Sequence, residues 1–563
     1  MKYKISFSLI LFTVLIFLLT LNTAAYFKTD DRRSHLLEIR DAERALKSAA
    51  ENINSAEENY RLIDQEKLNM TSKELDNIYQ ELINLYQNEK DLLVKEKAAQ
   101  LINLAEKVRL LALESKPVQL RSFWLDSGTL AKRLNRGGVA ELLDNAEKAN
   151  FNVILAEVFF RGLSIIPDNN YFVQDPRFED WEEDPLKVLI EEAEKRDMEV
   201  HAWVWVFNEN TLGQPGRILQ ANPSWANRNK EGEVLTYHNS SWLSPSRIEV
   251  RKYLQRRYLY LVENYDLAGV NLDYIRFPEE YRGSFGYDQH TLDLFEEQTG
   301  INAVNIENDS KAKSIWNNFR ESLITEMVKE TSHILRNEDP TIKISADVIP
   351  GTEEARYRAL QNWKLWLDEG YVDFVFPMTY TNNLFSELNN WVQKDRYKVD
   401  KAIYPGISLF KLTKKQILEQ IETVNEINPN GLSLFAAAHL DKEDYNVLAA
   451  GHFKDQAVIP YIDKKDNLNL LREDIYRRIE LFYSAGAVNS IDKEILRDYF
   501  NLISLSRLKK TKAEIEDEPQ IITQLIKTDF LEYLEQKNVE ISDRVITVFL
   551  EDINYYYDML RLY

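Results

Sequence analysis

Between Leu120 and Ala436, short apolar runs alternate with stretches of helix-forming composition. Eight runs read as strands: Leu120 to Leu125, Val153 to Phe160, Glu199 to Phe207, Gly269 to Ile275, Ile342 to Val348, Val372 to Met378, Ala402 to Leu409 and Gly431 to Ala436. Most are apolar on both faces, the pattern of parallel strands buried on either side. The stretches between them, among them Ala140 to Ala149, Pro185 to Arg196, Glu249 to Asn264, Ile315 to Arg336 and Lys414 to Ile427, supply the helical crossovers. The repeat predicts an α/β fold, a (β/α)8 TIM barrel with lengthened loops. A doubly wound open sheet is the main alternative, but no run is followed by the glycine-rich phosphate turn of such sheets.

The flanks read differently. From Phe27 to Lys116 there is no glycine or proline, and Leu75, Ile78, Leu82, Ile83 and Leu85 recur at helical spacing. That predicts long amphipathic helices, paired as a hairpin or coiled coil. We expect a helical stalk holding the barrel off a membrane, or a coiled coil that binds a protein partner or a second copy. Ahead of it, Lys2 and Lys4 precede an apolar run from Ile5 to Leu21, then Thr23-Ala24-Ala25. This is a signal peptide or a transmembrane anchor. In either case the lysines place the remainder outside the cytoplasm, anchored or secreted. Beyond Gly451 the chain turns helical again, at Glu473 to Tyr483, Lys493 to Leu508 and Arg544 to Leu562, with Lys509 to Glu518 as a connector. The expected division is 1–26, 27–116, 117–450 and 451–563.

Composition narrows the chemistry. A formal net charge of −21 argues against a nucleic-acid partner. With no cysteine, disulfides, zinc–thiolate sites and thiol nucleophiles are excluded. The seven histidines show no H-E-x-x-H spacing, so neither a metal nor another cofactor is expected. Four acids fall in or beside the C-terminal parts of predicted strands: Asp126, Glu157, Asp273 and Asp347. That end of a barrel is where loops line a cleft, and elsewhere in a strand an unpaired carboxylate would be costly.

Several segments carry a resemblance. They are Leu243-Ser244-Pro245, Val250 to Leu254, Asn264-Tyr265-Asp266, the run G-V-N-L-D-Y-I-R-F-P ending at Pro278, and Gly370 to Tyr380. Arg161-Gly162 and His201-Ala202-Trp203 add to them. Together they resemble the glycosyl hydrolase-like 10 family, over roughly Leu120 to Leu440. Ala268-Gly269 stands where that family usually has Asp-Gly, and Tyr274 where it often has a second Asp, so this is a divergent member. The resemblance implies a bacterial envelope enzyme acting on a polysaccharide, peptidoglycan glycan strands.

Glycoside hydrolysis generally uses two carboxyl groups. Asp273, inside the best-matched signature, is the first catalytic candidate, with Glu157 and Asp347 for the second role. Asp373 precedes its strand's apolar core and is assigned to the stability face. The candidate substrate-binding residues are Arg161, His201, Trp203, Trp205, Tyr274, Arg276 and Tyr380, whose rings and polar groups suit sugar C–H faces and hydroxyls. The rival is a non-catalytic glycan-binding barrel on a coiled-coil scaffold, favoured if only one strand-end acid survives.

Overall fold

The computed structural model describes residues 30–87, 91–279, 284–306, 308–381, 402–410, 412–427, 430–502 and 519–561. The expected signal or anchor at 1–26 and the connector Lys509 to Glu518 lie outside them. Among the described residues no helix is long and apolar enough to cross a membrane.

Three helices come first: α1 (Asp30–Glu58), α2 (Gln65–Gln87) and α3 (Asp91–Leu111). Helix α3 packs against both others, around Ile39, Leu46, Ile53, Leu75, Leu82, Leu101 and Val108. The expected hairpin is thus a three-helix arrangement. Its first turn needs no glycine because Tyr60 itself adopts a left-handed conformation, φ 48°.

Every predicted barrel strand is present: β1 (Leu120–Leu125), β2 (Val153–Phe160), β3 (Glu199–Trp205), β4 (Gly269–Asp273), β5 (Lys343–Val348), β6 (Phe374–Pro377), β7 (Ala402–Ile403 and Gly406–Ser408) and β8 (Gly431–Phe435). Strands β1 to β6 pair in sequence order, all parallel, and β8 pairs with β1. Strand β7 is interrupted at Tyr404-Pro405, since proline has no N–H to give a ladder. Its first half pairs with β6, its second with β8, and a Met378–Gly406 bridge joins the two sides of the ring. Gly406 is required there, because a Cβ would lie 2.9 Å from the Trp124 ring. The crossover helices include α4 (Arg136–Lys148), α5 (Pro185–Glu194), α6 (Ile248–Asn264), α7 (Ser310–Glu338), α8 (Trp363–Asp368), α9 (Lys414–Ile427) and α10 (Lys442–Ala450).

After the barrel come α11 (Lys464–Ser484), α12 (Ser490–Leu502), α13 (Pro519–Gln536) and α14 (Asp543–Arg561). Helix α13 had not been read from the sequence. These helices share a core that includes Ile475, Phe482, Phe530, Phe549 and Ile553, together with Val118 just ahead of β1. They therefore lie at the N-terminal ends of the strands, the stability face. Tyr461, on the segment leading to α11, donates to Glu199 (2.5 Å) and stacks on Phe374.

The three parts meet at a buried charge cluster. Arg478 of α11 binds both carboxylate oxygens of Glu114 at 3.0 Å and Asp552 of α14 at 2.9 Å, while Lys116 adds a second cation to Glu114 at 2.9 Å. Burial alone would raise Glu114, yet the Arg478 and Lys116 charges hold it well below the usual carboxylate range. Arg61, between α1 and α2, pairs with Glu422 of α9, and Tyr60 stands edge-on to Phe482 at 4.9 Å. The segment expected to be a stalk is therefore tied to the underside of the barrel at its Tyr60 and Glu114 ends.

Candidate active site

Side chains alternate along a strand, so within β4 Asn271 and Asp273 face the same way, as do Ser345 and Asp347 within β5. The last rung between these strands pairs Leu272 with Ala346. Asp273 and Asp347 are the next residues on each, with Cα atoms about one strand spacing, roughly 5 Å, apart. Both carboxyls are inside the barrel near its C-terminal end and almost fully buried, at 7% and 2% exposure.

Each carboxyl is held by an indole. Trp203 Nε1 donates to Asp273 Oδ2 at 3.0 Å, and the Tyr274 backbone N–H to Oδ1 at 2.6 Å. Trp124 Nε1, from β1 on the far side of the ring, donates to Asp347 Oδ2 at 3.1 Å, and Asn271 Nδ2 to Oδ1 at 3.1 Å. Burial pushes Asp273 up to about 6, opposed by the Trp203 bond and the Arg276 charge. Burial and the neighbouring Asp273 charge push Asp347 well above the carboxylate range, against its bonds from Asn271 and Trp124. The two acids feel each other, but among the described residues only Asp273 has a cation beside it. That difference lets one ionise while the other keeps its proton.

Glu157, on β2, is brought to the same end of the barrel but is already engaged. Its Oε2 accepts from the Ser127 N–H (3.0 Å) and hydroxyl (2.6 Å), fixing the turn after β1. Burial raises its pKa despite those bonds. Asp126 caps the short helix Ser127–Ala131 through the Thr129 N–H (2.9 Å) and hydroxyl (2.7 Å). Asp373 accepts from Arg336 and the Ile344 N–H at the opposite end of the barrel.

The expected binding residues divide. Tyr274 turns outward with φ 51°, and Arg161 after β2 with φ 49°; both are non-glycine residues in left-handed backbone, at a cost of about 1–3 kcal/mol each. Tyr274 packs against Trp205 (4.9 Å between rings) and Trp242 (5.7 Å). Arg161 lies over Trp205 at 5.5 Å, and Arg276 over Trp242 and Tyr274 at 5.3 Å each. Trp203 lies deeper, as the support for Asp273. Tyr380, 41% exposed, stacks on Phe435 at 5.2 Å. Burial, then the charges of Asp347 and Asp273, hold its hydroxyl well above its ordinary pKa. With the ring this open, the two carboxyl charges are the part that matters.

His201 is a correction. It pairs with Gly269 at the start of β4, is fully buried, and meets Glu199 and Tyr461 at 3.2 Å each. It therefore fills the floor of the barrel, where a Cβ on Gly269 would clash with its ring at 2.3 Å. A residue four rungs below Trp205 cannot reach a cleft at the other end. Trp124, Asn271, Ser127, Trp242 and Phe435 were not anticipated. Asn271 had a signal, its position two residues before Asp273 on the same strand face.

The glycosyl hydrolase-like 10 profile matches residues 119–424. The chain is 21% identical to the glycosyl hydrolase YngK of Bacillus subtilis (strain 168) over 392 residues, 61% of this chain and 72% of that protein. It is 20% identical to the glycosyl hydrolase DigH of Escherichia coli (strain K12) over 338 residues, 54% and 72% respectively. Among solved structures, the PgaB (BpsB) glycoside hydrolase domain from Bordetella bronchiseptica aligns over 60% of this chain and 100% of that one, at 13% identity and a TM-score of 0.47. With a match running from the start of the barrel into α9, more than half its length, the chain belongs to the glycosyl hydrolase-like 10 family.

Proposed function

We propose that this protein is a glycoside hydrolase that cuts peptidoglycan glycan strands outside the cytoplasm. The observation that carries the reading is the pairing of two buried carboxyls, Asp273 and Asp347, on adjacent strands at the cleft end of the barrel. The rival glycan-binding barrel would need only one. Asp347, with no cation beside it among the described residues, keeps its proton and gives it to the glycosidic oxygen as the C1–O bond breaks. Asp273, next to Arg276, attacks C1 as the carboxylate. Water then enters with Asp347 as base, releasing the sugar and restoring both groups. The retaining route needs ~5–5.5 Å between carboxyls, against ~6.5–9.5 Å in inverting enzymes, and acids at neighbouring positions on adjacent strands, with Cα atoms roughly 5 Å apart, favour the shorter spacing.

The substrate and location rest on the family resemblance and on the lysine-flanked apolar run, Ile5 to Leu21. The test is purified glycan strands incubated with the parent, Asp273→Asn and Asp347→Asn, scoring new reducing ends and their anomeric configuration by NMR. Cleavage with retained configuration, lost in both variants, is expected. Binding without cleavage by the parent would favour the rival. Protease added to intact spheroplasts should digest the barrel, and full protection would reverse the orientation.

A further inference from the structure

The outer wall of the barrel carries a second group of rings, away from the carboxyl pair. Helix α6 places Tyr253, Arg257 and Tyr260 at i, i+4 and i+7, on one face over about 10 Å of helix. The loop after β2 sets Tyr171 against Tyr260, with rings 5.0 Å apart, and the loop after β3 sets Trp225 edge-on to Tyr253 at 5.4 Å. Tyr171 is 38% exposed, and the other three rings are half-buried. The Arg257 guanidinium lies 3.3 Å from the centre of the Tyr253 ring. Its Nη1 donates to the Tyr253 carbonyl at 2.8 Å, while its Nε is shut off from water with no acceptor. Burial lowers its pKa, opposed by the phenols of Tyr253, Tyr258 and Tyr171. Arg251 of the same helix instead pairs with Glu330 and Glu326. Among the described residues Arg257 has no such acid, in a chain with 91 acidic residues against 70 basic ones. The group begins beside the cleft: the Trp225 carbonyl accepts from the Ser244 N–H at 2.8 Å, Ala226 bridges to Leu243, and the next residue, Trp242, packs against Tyr274 and Arg276.

We propose that Trp225, Tyr253, Arg257, Tyr260 and Tyr171 form a second glycan site, on the outer wall of the barrel, that holds an uncut stretch of a long polysaccharide while the cleft works on another stretch. The rings offer apolar faces to sugar C–H groups. Arg257, fixed on Tyr253, has N–H donors left for sugar hydroxyl or amide oxygens. Four rings and one guanidinium fall far short of the roughly 20–30 residues a side of a stable protein interface, but they suit a chain one sugar wide. The site rests on the glycan-hydrolase reading and goes beyond it, since nothing here touches the carboxyl pair.

The test compares long and short substrates on the full chain. Purified peptidoglycan glycan strands serve as the long ligand and a tetrasaccharide cut from them, which fills only the cleft, as the short one. Binding is measured by calorimetry in the Asp347→Asn background so that the glycan stays intact, and cleavage rates in the otherwise parental protein. Tyr171→Ala, Trp225→Ala and Arg257→Gln are each expected to weaken binding of long strands about two- to tenfold, the range for one ring contact or one hydrogen bond. Tyr171→Ala with Trp225→Ala should weaken it more than either alone. Cleavage of the tetrasaccharide should stay within about twofold of the parent in every variant. Trp225→Phe, which keeps a ring, should recover most of the long-strand binding and separates lost stacking from lost fold. Long-strand binding unchanged in all three variants overturns the site and leaves the hydrolase reading intact. Equal losses on long and short substrates make the rings supports of the cleft and also overturn it. A parent that binds long strands but cuts neither substrate overturns the hydrolase reading alone, because the binding comparison still tests the outer site. A parent that binds neither overturns both.

Discussion

Replacing Asp273 by asparagine should make the protein more stable at neutral pH while removing its activity. The carboxyl is buried, and its rise from 3.8 to about 6 is worth about 3 kcal/mol, at about 1.4 kcal/mol per pH unit. The sign follows from proton binding. Between about pH 4 and 6 the folded protein holds a proton that the unfolded chain has released, so stability falls as pH rises through that window and stays low above it. Asparagine carries no charge and escapes this cost. Its amide oxygen can keep the Trp203 bond, but the second acceptor, now facing the Tyr274 N–H, is lost, at about 0.5–1.5 kcal/mol. The balance at pH 8 is a gain of roughly 1.5–2.5 kcal/mol, a few degrees in melting temperature for a chain this size. At pH 4, where the folded carboxyl holds its proton and the unfolded one is about half protonated, nearly all of the gain should be gone. Hydrolysis should fall at least ~10²–10⁴-fold at either pH. Thermal melts of parent and variant at pH 4, 6 and 8, with rates on the same samples, make the comparison. A variant that melts below the parent at every pH would mean that Asp273 is a paired structural acid, and the argument for its catalytic charge would fail.

Asp347→Asn should lose glycan cleavage but, on an aryl glycoside with an activated leaving group, keep the first step, which needs no proton, and show a burst of released phenol followed by slow turnover because the second step lacks its base; Asp273→Asn should lose both. The parent's kcat/KM should climb through about pH 6 as Asp273 ionises and decline at higher pH as Asp347 deprotonates, and an alkaline limb that survives in Asp347→Asn would remove it as the acid. Glu157→Gln should cost about 1–3 kcal/mol by weakening the hold on Ser127, with a smaller loss of rate than either aspartate variant; a rate loss as large as theirs would make Glu157 the second catalytic group. Arg478→Met leaves Glu114 and Asp552 buried without their shared cation and should cost about 3–5 kcal/mol in chemical denaturation, whereas a cost under about 1 kcal/mol would mean that the N-terminal helices are held to the barrel elsewhere.

The barrel was legible because each strand is a compact apolar run, and a buried strand needs nothing else. What escaped was whatever depended on a partner distant in sequence. Tyr404-Pro405 lies in a run that reads as one strand, yet its two halves pair with different neighbours. The turn at Tyr60 carries no glycine or proline, because the Phe482 ring more than four hundred residues away helps to hold it. Tertiary packing supplied the break that local preference did not signal. The start of helix α13 was hidden by the charged composition just ahead of it.

The site follows the same rule, with strand direction as the deciding variable. His201 and Trp205 lie on one face of one strand, and residue type gave no reason to prefer either as a ligand. Direction does: in a parallel barrel the C-terminal ends of all strands share one face, so position along the run outweighs chemical character. Asp273 ends β4 and Asp347 lies one residue from the end of β5, while His201 is third from the start of β3. By that criterion His201, early in its run, favours the floor of the barrel already in the sequence. The difference between the two aspartates could not have been found that way. It is set by Arg276 beside Asp273 and by burial and the Asp273 charge acting on Asp347, while each acid takes an indole bond, Trp203 to one and Trp124 from across the ring to the other. Two like acids take unlike roles only once the ring has closed and given them unlike neighbours.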